Sequence, residues 1–181
     1  MQENGILYNS LTEDVSDYTL SNLIAFIRED FHSYFIENLS LINTLMHSCV
    51  VVDTQEVPNL PAVYQKFTDF KDLLEQHTGE EEFIVFPIVA DLLKHKGVES
   101  IPSQTVSRVI DDIESKHNSL HEKLNSLEKE SNFFEDHTGV SPTLKHVYSL
   151  LIKLKHNFTV YSFIENNYLY PKLNHLIKQL N

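Results

Sequence analysis

Apolar residues recur through this chain at spacings of three and four, and no stretch alternates apolar with polar as a half-buried strand would. That pattern confines the chain to amphipathic helices. Glycine occurs only at 5, 79, 97 and 139, and most of the prolines fall between long periodic segments. The spacing predicts a first helix from Thr19 or Ser21 towards Val52 and a second from about Pro61 to His95, with Gly97 as its stop. A third, capped by Ser103, fades near Asn132, and a fourth opens with Ser141 as N-cap and Pro142 at the first helical position. Helices of about 30 residues with short connections predict an all-α, up-down-up-down four-helix bundle over residues 18–181, behind an N-terminal arm over 1–17.

The two halves of the chain carry one design twice. His77-Thr-Gly-Glu-Glu81 is followed by Glu-Phe-Ile-Val-Phe-Pro87, and Tyr161-Ser-Phe-Ile-Glu165 by Asn-Asn-Tyr-Leu-Tyr-Pro171. In each, a glutamate comes four residues after the first member and six before a proline. His32 precedes His77 by 45 residues, and His117 precedes Tyr161 by 44. Each half thus places a histidine on one helix and a four-spaced pair on the next. Two such hairpins face to face bring their polar groups to a common point.

Those groups interrupt the apolar seams. Residues four apart share a helix face, which pairs His77 with Glu81, His117 with His121, and Tyr161 with Glu165. The seams read Phe70, Leu73, His77, Glu81, Ile84, Ile88 on the second helix and Val106, Ile110, Ile113, His117, Leu120, Leu124, Leu127 on the third. The fourth reads Val147, Leu151, Leu154, Phe158, Tyr161, Glu165, Tyr168, and His32 is followed on its face by Ile36 and Leu39. Carboxylates and imidazoles buried without compensation cost several kcal/mol each. Two carboxylates can bridge two cations with imidazoles at the terminal positions. A metal-free His–Glu–Tyr network satisfies the same groups differently. Oxygen and nitrogen donors without thiolates suit iron or manganese better than a structural zinc.

Composition narrows the partners. With 26 acidic and 14 basic side chains the formal charge is −12, which repels nucleic acid and anionic membrane surfaces. Cys49 is the single cysteine, so no internal disulfide forms and a reducing, cytoplasmic setting is expected. No apolar run suggests a membrane span, and the N-terminus does not read as a signal peptide.

The set His32, His77-xxx-Glu81 and His117, with a four-spaced pair ending in Glu165, resembles the hemerythrin-like superfamily. The stretches Glu81–Pro87 and Glu165–Pro171 are most similar to the repair-of-iron-centres proteins, and the likeness covers residues 20 to 178. The resemblance implies a non-heme di-iron protein, with two ions per chain bridged by Glu81 and Glu165. It also implies a role in repairing iron–sulfur clusters after nitrosative or oxidative damage. Oxygen or nitric oxide would be the small ligand, and a damaged iron–sulfur protein the macromolecular partner.

The sequence departs from the family at three points. Tyr161 stands where the family has histidine, and is a phenolate ligand, a hydroxyl just outside the metal, or the mark of a site that has lost one ion. Asp53 stands where a further histidine often occurs. In a continuous helix its 21-residue separation from His32 is about 31 Å, so His121 is the better extra ligand. The cysteine-bearing segment of many repair proteins has no counterpart here. Beside repair, two functions stay open: a reversible oxygen or nitric-oxide carrier or sensor, and a metal-free helical scaffold that binds a protein partner.

Overall fold

The computed structural model of the chain describes residues 15–95, 103–135 and 138–179, and all regular structure among them is helical. Four long helices pack around one hydrophobic core. The first, Leu20–Asp53, starts at Thr19, whose hydroxyl accepts the Asn22 N–H at 3.2 Å. The second runs over 60–95 with Pro61 in its first turn, and the third spans Ser103–Glu130. The fourth covers 142–179 behind the expected cap: the Ser141 hydroxyl accepts the Leu144 N–H at 3.2 Å. Gly97 and the residue before Ser103 lie outside the described residues. The second helix packs on the third, and the first packs on both the second and the fourth.

Between the third and fourth helices the chain turns through Asn132, Phe133 and Phe134, with φ of 51°, 60° and 59°. This left-handed region is disfavoured for residues with a β-carbon. Phe134 is buried there while Phe133 stays 60% exposed. The end of the first helix is tied to the start of the fourth by Asp53, which accepts the Ser141 N–H at 2.6 Å and its hydroxyl at 2.7 Å. Asp53 is therefore a structural clamp, and its neighbour Cys49 is buried beside it. The last part of the expected arm also belongs to the fold. Val15 is in the core, and Lys172 donates to the Ser16 and Tyr18 carbonyls at 2.8 and 2.7 Å.

Three of the four long helices contain one π-helical turn: Ile27–His32, Glu81–Val85 and Glu165–Leu169. In each, an N–H bonds five residues back: Ser33 to Arg28, Phe86 to Glu81, and Tyr170 to Glu165. Such a turn is an α-helix with one extra residue, so every later side chain moves one position along the sequence relative to the core. Beyond Glu81 the buried residues are Val85, Phe86 and Val89; beyond Glu165 they are Leu169, Tyr170, Leu173 and Ile177. Subtracting one from each restores the helical series of plus three, four, seven and eleven.

The expected seams are corrected accordingly. Ile36 is 71% exposed and Ile84 45%, while Ile88 and Tyr168 are only partly buried. Phe35, Val85, Val89 and Leu169 occupy the core instead. Two of these changes owe nothing to a π turn: Phe35, three residues past His32, replaces Ile36, and Leu74 replaces Leu73. The prolines supply a cause on two helices. Pro87 and Pro171 have no N–H and would clash with the carbonyl four residues back in a regular helix, and the widened turn ahead of each relieves that conflict.

Apolar composition is concentrated in the first helix, against the expectation from sequence. An 18-residue window there has mean hydropathy 1.3, enough by length and composition to cross a membrane. The core helix of a globular bundle meets the same criterion, and Leu23, Ile27, Phe31, Phe35, Leu39 and Ile42 of this helix lie in the core.

Candidate metal centre

Each π turn begins or ends at a residue of the expected site. His32 closes the first, while Glu81 and Glu165 open the other two. The turns sit at one level of the bundle, and six of the seven expected residues meet there. His32, His77, Glu81, His117, Tyr161 and Glu165 are each no more than 3% exposed. His77 Nε2 lies 3.7 Å from Glu81 Oε1 and 3.9 Å from Glu165 Oε2, and His117 Nε2 lies 3.0 Å from both His77 Nε2 and Glu165 Oε2. One donor atom each from His77, His117 and Glu165 falls within a 4.8 Å circle, the spacing of ligands around a single cation. The other half gathers on Glu81, which faces His32 Nε2 at 3.1 Å and accepts the Tyr170 hydroxyl at 3.1 Å and the Tyr161 hydroxyl.

His121 does not join them. Its Nε2 faces the Ser162 hydroxyl at 3.1 Å and its ring packs on Phe158 with centroids 4.9 Å apart. One turn and about 6 Å along its helix from His117, His121 lies beside Phe158 and Ser162 and reaches neither glutamate.

Glu82 and Asn166 escaped the sequence reading. His32 Nδ1 contacts Glu82 Oε1 at 2.7 Å, and His117 Nδ1 contacts Asn166 Oδ1 at 3.0 Å. The repeat held the signal, because each of these residues directly follows the glutamate of its half. Arg28 Nε donates to the second Glu82 oxygen at 2.7 Å. A groove of about 470 Å3 between the first and second helices is lined by Arg28, His32, Phe35, Gly79, Glu82 and Phe83, and leads from solvent to His32. Gly79 contributes to its width, since a β-carbon there would meet nothing within 4 Å.

No protein-family model matches this chain, and no curated protein is significantly similar to it.

The electrostatics divide the two glutamates. Burial opposes charge on Glu81, but the His77 imidazole beside it and the His32 hydrogen bond outweigh that and hold its carboxyl at about 2. Burial and then the facing Glu81 charge push Glu165 well above the usual carboxylate range. Burial also lowers both inner histidines, with His117 at about 4, so their imidazoles are neutral near pH 7. Neutral imidazole is the form that ligates a metal. Burial, then the charges of Glu165 and Glu81, keep the Tyr161 phenol protonated.

The residues fit a metal on one structural ground. Neither oxygen of the buried Glu165 carboxyl meets hydrogen-bond geometry, although Glu81 and Tyr161 lie close enough to act on its charge, and His77 Nδ1 has no partner; the 3.0 Å approach of Glu165 to His117 also lacks hydrogen-bond geometry. Native interiors seldom leave such groups unsatisfied without a functional reason or an unseen ion.

Proposed function

We propose that this chain is a hemerythrin-like up-down-up-down bundle holding two non-heme iron ions, and that it acts in iron–sulfur cluster repair or the response to nitric oxide and oxidative stress. Glu81 and Glu165 would bridge the ions, with His32, His77 and His117 as terminal ligands and manganese as the alternative metal. The observation that carries this reading is the unpartnered Glu165 carboxylate, buried among imidazoles and facing a second carboxylate from the other half of the repeat. When bound, an iron pair supplies one-electron redox chemistry and an affinity for small diatomic ligands such as oxygen or nitric oxide.

The chain's own groups would organise that chemistry. Tyr161 and Tyr170 hold Glu81 by their hydroxyls, so the phenol supports a bridging carboxylate and need not itself ligate. Phe31, Phe35 and Phe158 pack around the Tyr161 ring and exclude water from that side. The groove at His32 gives a small ligand a route inward, and the acidic, single-cysteine chain suits the cytoplasm.

Elemental analysis of untagged protein purified without chelator tests the reading. Close to two irons per chain supports it. Iron near zero after anaerobic ferrous reconstitution overturns it. The full set of donors on Glu81 favours a second reading, a metal-free scaffold for a protein partner; under it, chelator leaves the melting temperature unchanged.

A further inference from the structure

Glu82 and Asn166 occupy equivalent places in the two halves of the repeat. Each follows the glutamate that opens a π turn. Each reaches the Nδ1 of the histidine on the preceding helix, across 50 residues in the first half and 49 in the second, at 2.7 and 3.0 Å. The Nε2 of each histidine points the other way, His32 towards Glu81 and His117 towards Glu165. An ionised carboxylate can only accept a hydrogen bond. Glu82 therefore takes the Nδ1 proton of His32 in its hydrogen bond, so that a bound ion would have to take the Nε2 side, which here faces Glu81. Arg28 anchors the second Glu82 oxygen and the His32 ring stacks on Phe86 at 5.6 Å, so the orientation is held from two sides. Asn166 Oδ1 accepts from His117 in the same way but carries no charge. His77 has no such partner at its Nδ1.

We infer that Glu82 and Asn166 are the positioning residues of the two halves of the centre, and that a carboxylate behind His32 against an amide behind His117 makes the two metal positions unequal, the His32 position binding more tightly. A carboxylate hydrogen-bonded to the far nitrogen of an imidazole raises its basicity towards a metal, whereas an amide does so less. The inference rests on the metal-binding reading above and adds to it an order of filling.

The test is an anaerobic titration of the full chain with ferrous iron against a competing chelator, on wild type, Glu82→Gln, Asn166→Asp and the double exchange. The wild type is expected to bind two ions with resolvable affinities. Glu82→Gln keeps an acceptor but removes the charge, and is expected to weaken the tighter ion roughly 10- to 100-fold while sparing the other. Asn166→Asp is expected to tighten the weaker ion, and the double exchange to reverse the order. Nitrogen-15 NMR of zinc-loaded protein supplies a readout that folding alone would not move: Glu82→Gln should shift the Nδ1 proton of His32 and leave that of His117 in place. Melting of each metal-free variant within a few degrees of wild type shows that the fold is intact. Two ions bound with the same affinities in all four proteins overturn the inference and leave the centre standing. No iron bound by the wild type overturns the centre itself, and the inference with it.

Discussion

Tyr161 stands in the second half of the repeat where the first half has His77, and its surroundings explain what a phenol does there. Its hydroxyl donates to Glu81, and its ring lies edge-on to His32 and His77 with centroids 5.9 and 6.0 Å away. If the proposed centre holds, Tyr161→Phe should therefore leave the metal content and any visible absorption as in the wild type. It should destabilise the metal-free protein by about 1–3 kcal/mol, the cost of taking one donor from a buried carboxylate; loss of a visible band on the substitution would show that the phenol ligates.

The buried imidazoles also set a pH response. His117 at about 4 and His77, also lowered, bind protons less readily in the folded chain than in the unfolded one, where histidine titrates near 6.5. Above pH 6.5 both states are neutral and nothing is gained or lost. Between 6.5 and 4 the unfolded chain takes up protons that the folded chain refuses, so stability falls as pH falls. Glu165, raised, works in the opposite direction by keeping a proton that the unfolded chain releases. With Glu165→Gln removing that opposing contribution, urea unfolding of metal-free protein should show a midpoint that declines from pH 6.5 to 4.

At the scale of the helix, the π turns decide what can be read from sequence. The helix ends were legible because caps and prolines act locally: Thr19, Ser141 and Pro142 do what their positions predict. On the second and fourth helices the seams slipped by one beyond the extra residue, Val85, Val89 and Leu169 standing in for Ile84, Ile88 and Tyr168, whereas Leu73 and Ile36 were misplaced without one. Ile84 and Val85 are equally apolar, so composition could not register the slip. Pro87 and Pro171, six residues after a glutamate in an otherwise periodic helix, were its visible trace. Six of the seven expected residues follow from the repeat and His121 does not join them, whereas Glu82 and Asn166, which the same repeat could have flagged, took their direction from the turns.

Deleting Phe83, which is 84% exposed, together with Pro87→Ala should turn the second helix into a regular α-helix with Val85, Phe86 and Val89 still in the core. Circular dichroism should then show a melt within a few degrees of wild type, with iron affinity lost as Glu81 and Glu82 are re-aimed. Deleting exposed Gln76 from the regular stretch rotates everything after it by about 100°. That strips at least three core side chains worth roughly 1.5–3 kcal/mol each, and the chain should fail to fold. Strain elsewhere is independent of the turns: Phe133→Gly, at a φ of 60°, should raise stability by about 1 kcal/mol in denaturant melts.

Over the whole molecule, an ion that binds only the folded state adds stability by mass action. At a free concentration a hundred times Kd the gain is about 2.7 kcal/mol. For a domain of this size that raises the melting temperature by roughly 5–10 °C, and chelator should reverse it. Binding should weaken as pH falls towards 4, where protons compete for His117.

The lone thiol gives the molecule another property. Burial, with Asp53 next to it, pushes Cys49 up to about 11, so at neutral pH it offers almost no thiolate to an alkylating reagent. The wild-type chain is thus already a blank background for site-directed labelling. A cysteine introduced at Gly79, on the wall of the groove, would be the thiol that reacts, and a fluorophore attached there would report what enters beside His32.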